Sequence, residues 1–135
     1  YIAGMGFSNV GLGVDHAMAH TLSAHYDTPH GVACAMLLPI AMEFNKPVVA
    51  DRLADVARAM GVDTAGMSAE EAADAAIDAV RALSSDVEIP KTCKGLVEGD
   101  LEQLATDAMA DACFPGNPRD ATHEEVVELF RKIMA

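Results

Sequence analysis

Residues 68–83 read SAEEAADAAIDAVRAL. Ser68 with Glu71 three positions on is a capping box, in which each side chain satisfies a backbone N–H at the start of a helix. Behind it Ala76, Ile77, Val80 and Leu83 recur at helical spacing on one stripe. The same grammar repeats along the chain. Thr122 with Glu125 opens a last helix that should pack Val126, Val127, Phe130 and Ile133. Asp100 with Gln103 is expected to cap a short helix carrying Leu101, Leu104, Ala105 and Met109. Upstream, Pro29 opens a helix through about Asn45, where Asn45-Lys46-Pro47 should interrupt it. A further helix is expected from about Val48 to Met60, ending at Gly61, with Leu53, Val56, Ala57 and Met60 on one face. The segment from Val87 to Gly99, with Pro90 and two glycines, reads as a connecting loop with at most a short strand or turn. The expectation is an all-α, single-domain bundle of six or seven helices over residues 1–135.

Composition agrees. Of 135 residues 51% are apolar, yet aromatics are 4%, tryptophan is absent and 25 residues are alanine. Such a chain suits close-packed helices better than a β-sandwich. A net charge of −12, with nine Lys and Arg spread thinly, argues against nucleic acid and against an anionic membrane surface. The longest charge-free apolar run in an evident helix, Gly31 to Met42, is shorter than the roughly 17–25 residues of a bilayer span. No basic region opens the chain as a signal peptide would. Cys34, Cys93 and Cys113 are odd in number and lack a C-x-x-C pair, so they read as free thiols of a cytoplasmic protein. The start at Tyr1 suggests a piece of something longer.

Charge is distributed unevenly. Residues 1–45 hold Asp15, Asp27 and Glu43, no Lys or Arg, and four of the five histidines. That third is expected to be largely buried, because a solvated helix carries a charged face. Gly4-Met5-Gly6 and Gly11-Leu12-Gly13 each lack the third glycine of a dinucleotide fingerprint and follow no strand, so they read as places of close approach or tight turn. His16 and His20 are four apart on one helical face, and His30 opens the next helix. Imidazoles so gathered suit Zn, Fe, Ni or Cu. A counter-charge is missing from the set: Asp15 points about 100° away from His16 around the helix. Either Asp27 completes the ligands or they come from chain outside this sequence. His25 reads as a helix-end residue and His123 as solvated.

These residues carry a resemblance. Ala3-Gly4-Met5-Gly6-Phe7-Ser8-Asn9 with Gly11-Leu12-Gly13, His16-Ala17-Met18-Ala19-His20, Thr28-Pro29-His30-Gly31-Val32 and Leu37-Leu38-Pro39 resemble the metal-binding stretch of the iron-containing (group III) alcohol dehydrogenases. Asp111-Ala112-Cys113 and Gly116-Asn117-Pro118-Arg119-Asp120-Ala121-Thr122 resemble that family's C-terminal signature, in the family's order. The chain is most similar to the subgroup of lactaldehyde reductases and propanediol dehydrogenases, and the likeness covers its whole length as the C-terminal helical domain.

The resemblance implies that His16 and His30 are metal ligands, with an Asp and a further His supplied by a helix upstream of this chain. It implies that His20 lines the substrate and nicotinamide space as a catalytic proton-relay residue and not as a ligand. Phe7 then corresponds to an aromatic near the nicotinamide, and Cys113 to a residue of the cleft wall. The implied ion is Fe²⁺, with Zn²⁺ or another divalent ion as alternatives, and it polarises the oxygen of a small primary alcohol or diol, or of the aldehyde. NAD or NADP would be bound mainly by an N-terminal dinucleotide-binding domain that this chain lacks, in a full-length homo-oligomer. The chain by itself is expected to be inactive. Two positions depart from the family pattern: Asp15 stands where an aliphatic or aromatic residue is usual, and Cys34 where Asn is common. The alternative is a stand-alone helical metal-binding or interaction module without catalysis.

Overall fold

A computed structural model describes residues 1–135. Six α-helices follow one another without a strand: α1 (Ile2–Val10), α2 (Val14–Tyr26), α3 (His30–Ala59), α4 (Ala69–Asp86), α5 (Leu101–Ala110) and α6 (His123–Arg131). Single 3₁₀ turns stand at Glu98–Asp100 and Phe114–Gly116. The main core joins α2, the first half of α3, α5 and α6, with Met18, Leu22, Leu37, Leu104 and Phe130 fully enclosed. A smaller core holds α4 against the second half of α3 through Leu53, Ala73 and Ile77. Both helices present alanines there, Ala54 and Ala57 facing the side of Ala72, Ala73 and Ala76, and small side chains let the two axes approach closely.

Capping boxes form as read at Ser68–Glu71 and Thr122–Glu125. Asp100 behaves otherwise. It makes no cap for α5; its carboxylate accepts the hydroxyl of Tyr26 at the end of α2. The apolar faces also shift. Of the α3 stripe, Leu53 and Ala57 are buried with Ala54, while Val56 and Met60 are exposed at its edge. On α4 the burial runs from Ala72 to Val80, and Leu83 is exposed.

The expected interruption at Asn45-Lys46-Pro47 is a kink within one long helix. Pro47 offers no N–H to the turn before it, and the backbone leaves helical geometry at Val49 (φ −134°, ψ 19°). Lys46 is no obstacle, since its ammonium reaches Asp74 on α4 at 2.6 Å. The continuous α3 is consequently long and apolar enough by length and composition to cross a membrane, which the sequence reading denied to every segment. Here it is a core helix, with its apolar side already packed on α2 and α4.

Burial of the charge-poor first third holds for α2 and α3 and fails for α1. No residue of α1 is buried, and Ile2, Met5, Phe7 and Val10 all face outward. The lack of charge there reflects an uncovered apolar surface, not a core position.

Downstream, residues 114–119 bind the start of the chain to its end. Asn117 Oδ1 accepts from the Val14 amide at 3.2 Å, supplying the cap that Gly13 cannot give α2. Its amide also pairs with that of Asn45 in both directions, at 2.8 and 3.0 Å, beside the α3 kink. Arg119 donates to the Phe44 carbonyl at 2.8 Å, stacks 4.0 Å over the Phe44 ring and pairs with Glu125. Two glycines make this contact possible. A Cβ on Gly13 would lie 2.8 Å from Asn117 Oδ1, and one on Gly116 would lie 2.0 Å from the Leu12 carbonyl oxygen.

Gly116→Ala should therefore lower stability by about 1–3 kcal/mol or more through forced separation of two backbones. Gly99→Ala, with open space at its Cβ, serves as the control. Thermal unfolding followed by circular dichroism compares them; equal midpoints would refute the close approach.

Candidate metal centre and proton-relay site

α2 and the first turn of α3 bring three imidazoles together. The ring centroids of His16 and His30 are 5.4 Å apart, those of His20 and His30 5.1 Å, and those of His16 and His20 6.1 Å. α2 presents positions 16 and 20 on one face by helical spacing. The left-handed residue Asp27 (φ 51°) ends α2, and the chain returns at once into α3, so that His30 meets them. Asp27 itself stays exposed at this turn and outside both groups of converging donors.

The donor atoms sort into two groups. His16, His30 and Cys34 offer ligand atoms that all lie within 4.8 Å of one another. His20 belongs to the other group, with Asp111 and Cys113. Its Nδ1 is 2.9 Å from Asp111 Oδ2. Burial raises the Asp111 carboxyl, but the Cys113 amide and the His20 ring outweigh it, and the net pKa lies below the usual value. Asp111 is therefore ionised near neutrality and accepts, so Nδ1 carries the proton and Nε2 is the free atom of His20. A parallel pair, His25 Nε2 to Asp107 Oδ2 at 2.8 Å, braces the same two helices nearer the end of α2. Phe7 stands exposed on α1 and makes no ring contact with the histidines, whereas Cys113 sits beside His20. His123 is half-exposed, its Nε2 3.1 Å from Thr106 Oγ1.

Electrostatics favour neutral donors. Burial, then the neighbouring His30 and His20, hold the His16 pKa below its ordinary value, so its ring is unprotonated and able to ligate at neutral pH. Three neighbours of these histidines had no site role in the sequence reading. Cys34 follows His30 by one helical turn, a spacing that was available as a signal. Asp111 is 91 residues from His20, and only the fold joins them. Asp15 faces inward with its Oδ1 lacking any partner, and its Oδ2 lies 3.5 Å from His16 Nδ1.

The sequence profile of the Fe-containing alcohol dehydrogenase family, C-terminal, matches residues 1–134. The chain belongs to this family. Among its relatives within the Fe-containing alcohol dehydrogenases, lactaldehyde reductase of Escherichia coli (strain K12) is 53% identical over 132 residues, covering 96% of this chain and 35% of that protein. 1,3-Propanediol dehydrogenase of Citrobacter freundii is 42% identical over 133 residues, covering 97% and 34%. The solved alcohol dehydrogenase from Oenococcus oeni superposes with a TM-score of 0.93 at 44% identity, over 97% of this chain and 35% of its own. The chain thus spans about a third of the length of the curated relatives it matches.

Asp15 gives a pH test of this region. Burial pushes its carboxyl from 3.8 up to about 7, so between those values the folded chain keeps a proton that the unfolded chain has released. The stability held by this group is complete below about pH 4 and is lost as pH rises through about 7. In metal-free protein Asp15→Asn should match the parent near pH 4 and exceed its thermal midpoint at about pH 8. A midpoint difference that does not grow with pH would exclude burial of the carboxylate as the cause.

Proposed function

We propose that this chain is the metal-binding and proton-handling part of an NAD(P)-dependent alcohol dehydrogenase that interconverts a small primary alcohol or diol and its aldehyde. The observation that carries this reading is the sorting of three adjacent imidazoles into a ligating group around His16 and His30 and a carboxylate-tethered His20. Support comes from the relatives, which are named as alcohol and diol oxidoreductases.

The donor set suits a divalent ion. His16 and His30 are nitrogen ligands of a kind taken by Fe²⁺ or Zn²⁺, and the exposed edge of His30 leaves the coordination open for further ligands. Such an ion supplies Lewis acidity toward an alcohol or carbonyl oxygen. An N-terminal dinucleotide-binding domain would complete the ligands, hold NAD(P) and close the cleft.

His20 does the remaining work in this chain. With Nδ1 fixed by Asp111, Nε2 takes the alcohol proton directly or through one water, and returns it when the aldehyde is reduced. The Asp111 carboxylate stabilises the imidazolium that forms, without taking the proton itself. Cys113 would border this exchange on the cleft wall, and Phe7 would flank the nicotinamide from α1. The isolated chain, with two of the proposed histidine ligands and no dinucleotide-binding fold, should show no alcohol oxidation.

In the full-length polypeptide, His16→Ala and His30→Ala should lose metal content and activity together. His20→Ala should keep the metal and lose roughly 10²–10⁴-fold in turnover. Metal analysis and steady-state kinetics on variants prepared side by side decide the matter. Loss of metal from His20→Ala equal to that from His16→Ala would make His20 a ligand and overturn the assignment.

Asp111→Asn provides an independent check on the relay. It should leave metal content unchanged and depress turnover, because Nδ1–H loses the charged acceptor that fixes the ring. An unaltered turnover would reduce Asp111 to a bracket between helices.

A further inference from the structure

We propose that the chain holds a second ligand site, away from the histidines and independent of the metal reading, that takes a short-chain carboxylate: an anionic head on an apolar tail of a few carbons. A cavity of about 270 Å³ opens between the first half of α3, the end of α4 and residues 89–91. Its floor is apolar, made by Met36, Pro39 and Ile40 of α3 with Ile89 from the loop. Met36 is buried there, while Ile40 and Ile89 are half-buried against the main core. Around α3, positions 35 and 39 stand roughly 100–180° from His30 and Cys34, so the cavity opens on another side of the helix from the histidines.

Local backbone chemistry builds this space. After α4 the left-handed Glu88 (φ 58°) turns the chain back, and the Ile89 amide donates to the Ser84 carbonyl at 2.8 Å. Pro90 follows with no N–H to continue a helix. The last carbonyls of α4 are used up in the same turn, since Leu83, Ser84 and Ser85 accept from Val87, Ile89 and Glu88. The negative end of the helix is thus closed by its own chain and opposes an anion less than open carbonyls would.

The rim carries the polar groups, Arg81, Ser84, Ser85 and Lys91. Arg81 is engaged by Glu43 and Asp78. Lys91 differs. Lys46 and Lys132 pair with Asp74 and Glu43, whereas Lys91 has no ion-pair partner. In a chain of net charge −12, an unpaired ammonium at the mouth of an apolar cavity is the feature that selects the ligand. A carboxylate set on it supplies the missing counter-charge, and the serine hydroxyls can donate to its oxygens. The tail takes the apolar floor out of water. An uncharged chain of equal length gains only the second term, and a bare anion only the first.

Hexanoate is the probe, with hexanamide as its uncharged counterpart of nearly equal size. Methyl NMR of the full-length polypeptide, labelled at methionine and isoleucine, locates binding through the Met36, Ile40 and Ile89 signals. Hexanoate should shift all three with one dissociation constant in the millimolar range, and hexanamide should bind the parent more weakly. Lys91→Glu should weaken hexanoate about fivefold or more and leave hexanamide unchanged. Lys91 is exposed, and an unaltered methyl spectrum before ligand is added shows that the variant is folded. Equal affinity of the parent for hexanoate and hexanamide makes the cavity a merely apolar hole and overturns the carboxylate assignment, with no variant needed. Hexanoate binding to Lys91→Glu as to the parent overturns it as well. Shifts at other methyls alone put the carboxylate elsewhere, the metal centre included, and overturn the site itself. Silence of all three methyls at saturating hexanoate does the same.

Discussion

One amide group ties the molecule together. Asn117 uses both ends of its side chain at once, accepting from the first amide of α2 and from Asn45, and donating to Asn45 and to the Arg119 carbonyl. Those partners come from the beginning, middle and end of the chain. A half-buried amide with both ends engaged tolerates little displacement, because one shift breaks several hydrogen bonds at once. The direction of α2 is fixed at its first residue by this contact, and with it the places of His16 and His20. The kink in α3 belongs to the same arrangement. Pro47 disturbs the helix next to the point where Asn45 and the Phe44 carbonyl receive the residue-117 and residue-119 side chains.

On the proposed reading the site divides labour over a short distance. Two helices would suffice to crowd three imidazoles, but crowding alone gives each the same chemistry. What distinguishes them is the partner each finds: Cys34 beside His30, Asp15 beside His16, and Asp111 opposite His20. Asp111 comes from the end of α5, so the packing of α5 on α2 determines whether His20 is tethered. Core residues such as Leu104 and Ala108 thereby bear on the tautomer of a surface histidine.

Local signals were legible where one helix contained the whole explanation. The boxes at Ser68 and Thr122 are closed within four residues, and both form. Asp100 shows the limit of that reasoning, since a capping residue has the same chemistry as a hydrogen-bond acceptor for a distant tyrosine. Pro47 was read as a terminator because propensity knows the missing donor and not the neighbours that hold a kinked helix together. Type and spacing single out His16, His20 and His30 together, the separation of His20 from the other two comes only from the family resemblance, and the Asp111 partner of His20 is signalled by neither. Low charge in the first 45 residues was ambiguous in principle, since a core and an uncovered contact face share that composition.

α1 lives on the second of those two meanings. It has nine residues, two internal glycines and no side-chain cap, and isolated helices shorter than about 12–15 residues are marginal in water. Its backbone order, costing about 1–2 kcal/mol per residue, has almost no buried area to offset it. Whatever covers Ile2, Met5 and Val10 removes apolar surface from water and consolidates the helix in the same event. Covering this face is thus a folding reaction as well as a docking one, and it should carry the heat-capacity change of both.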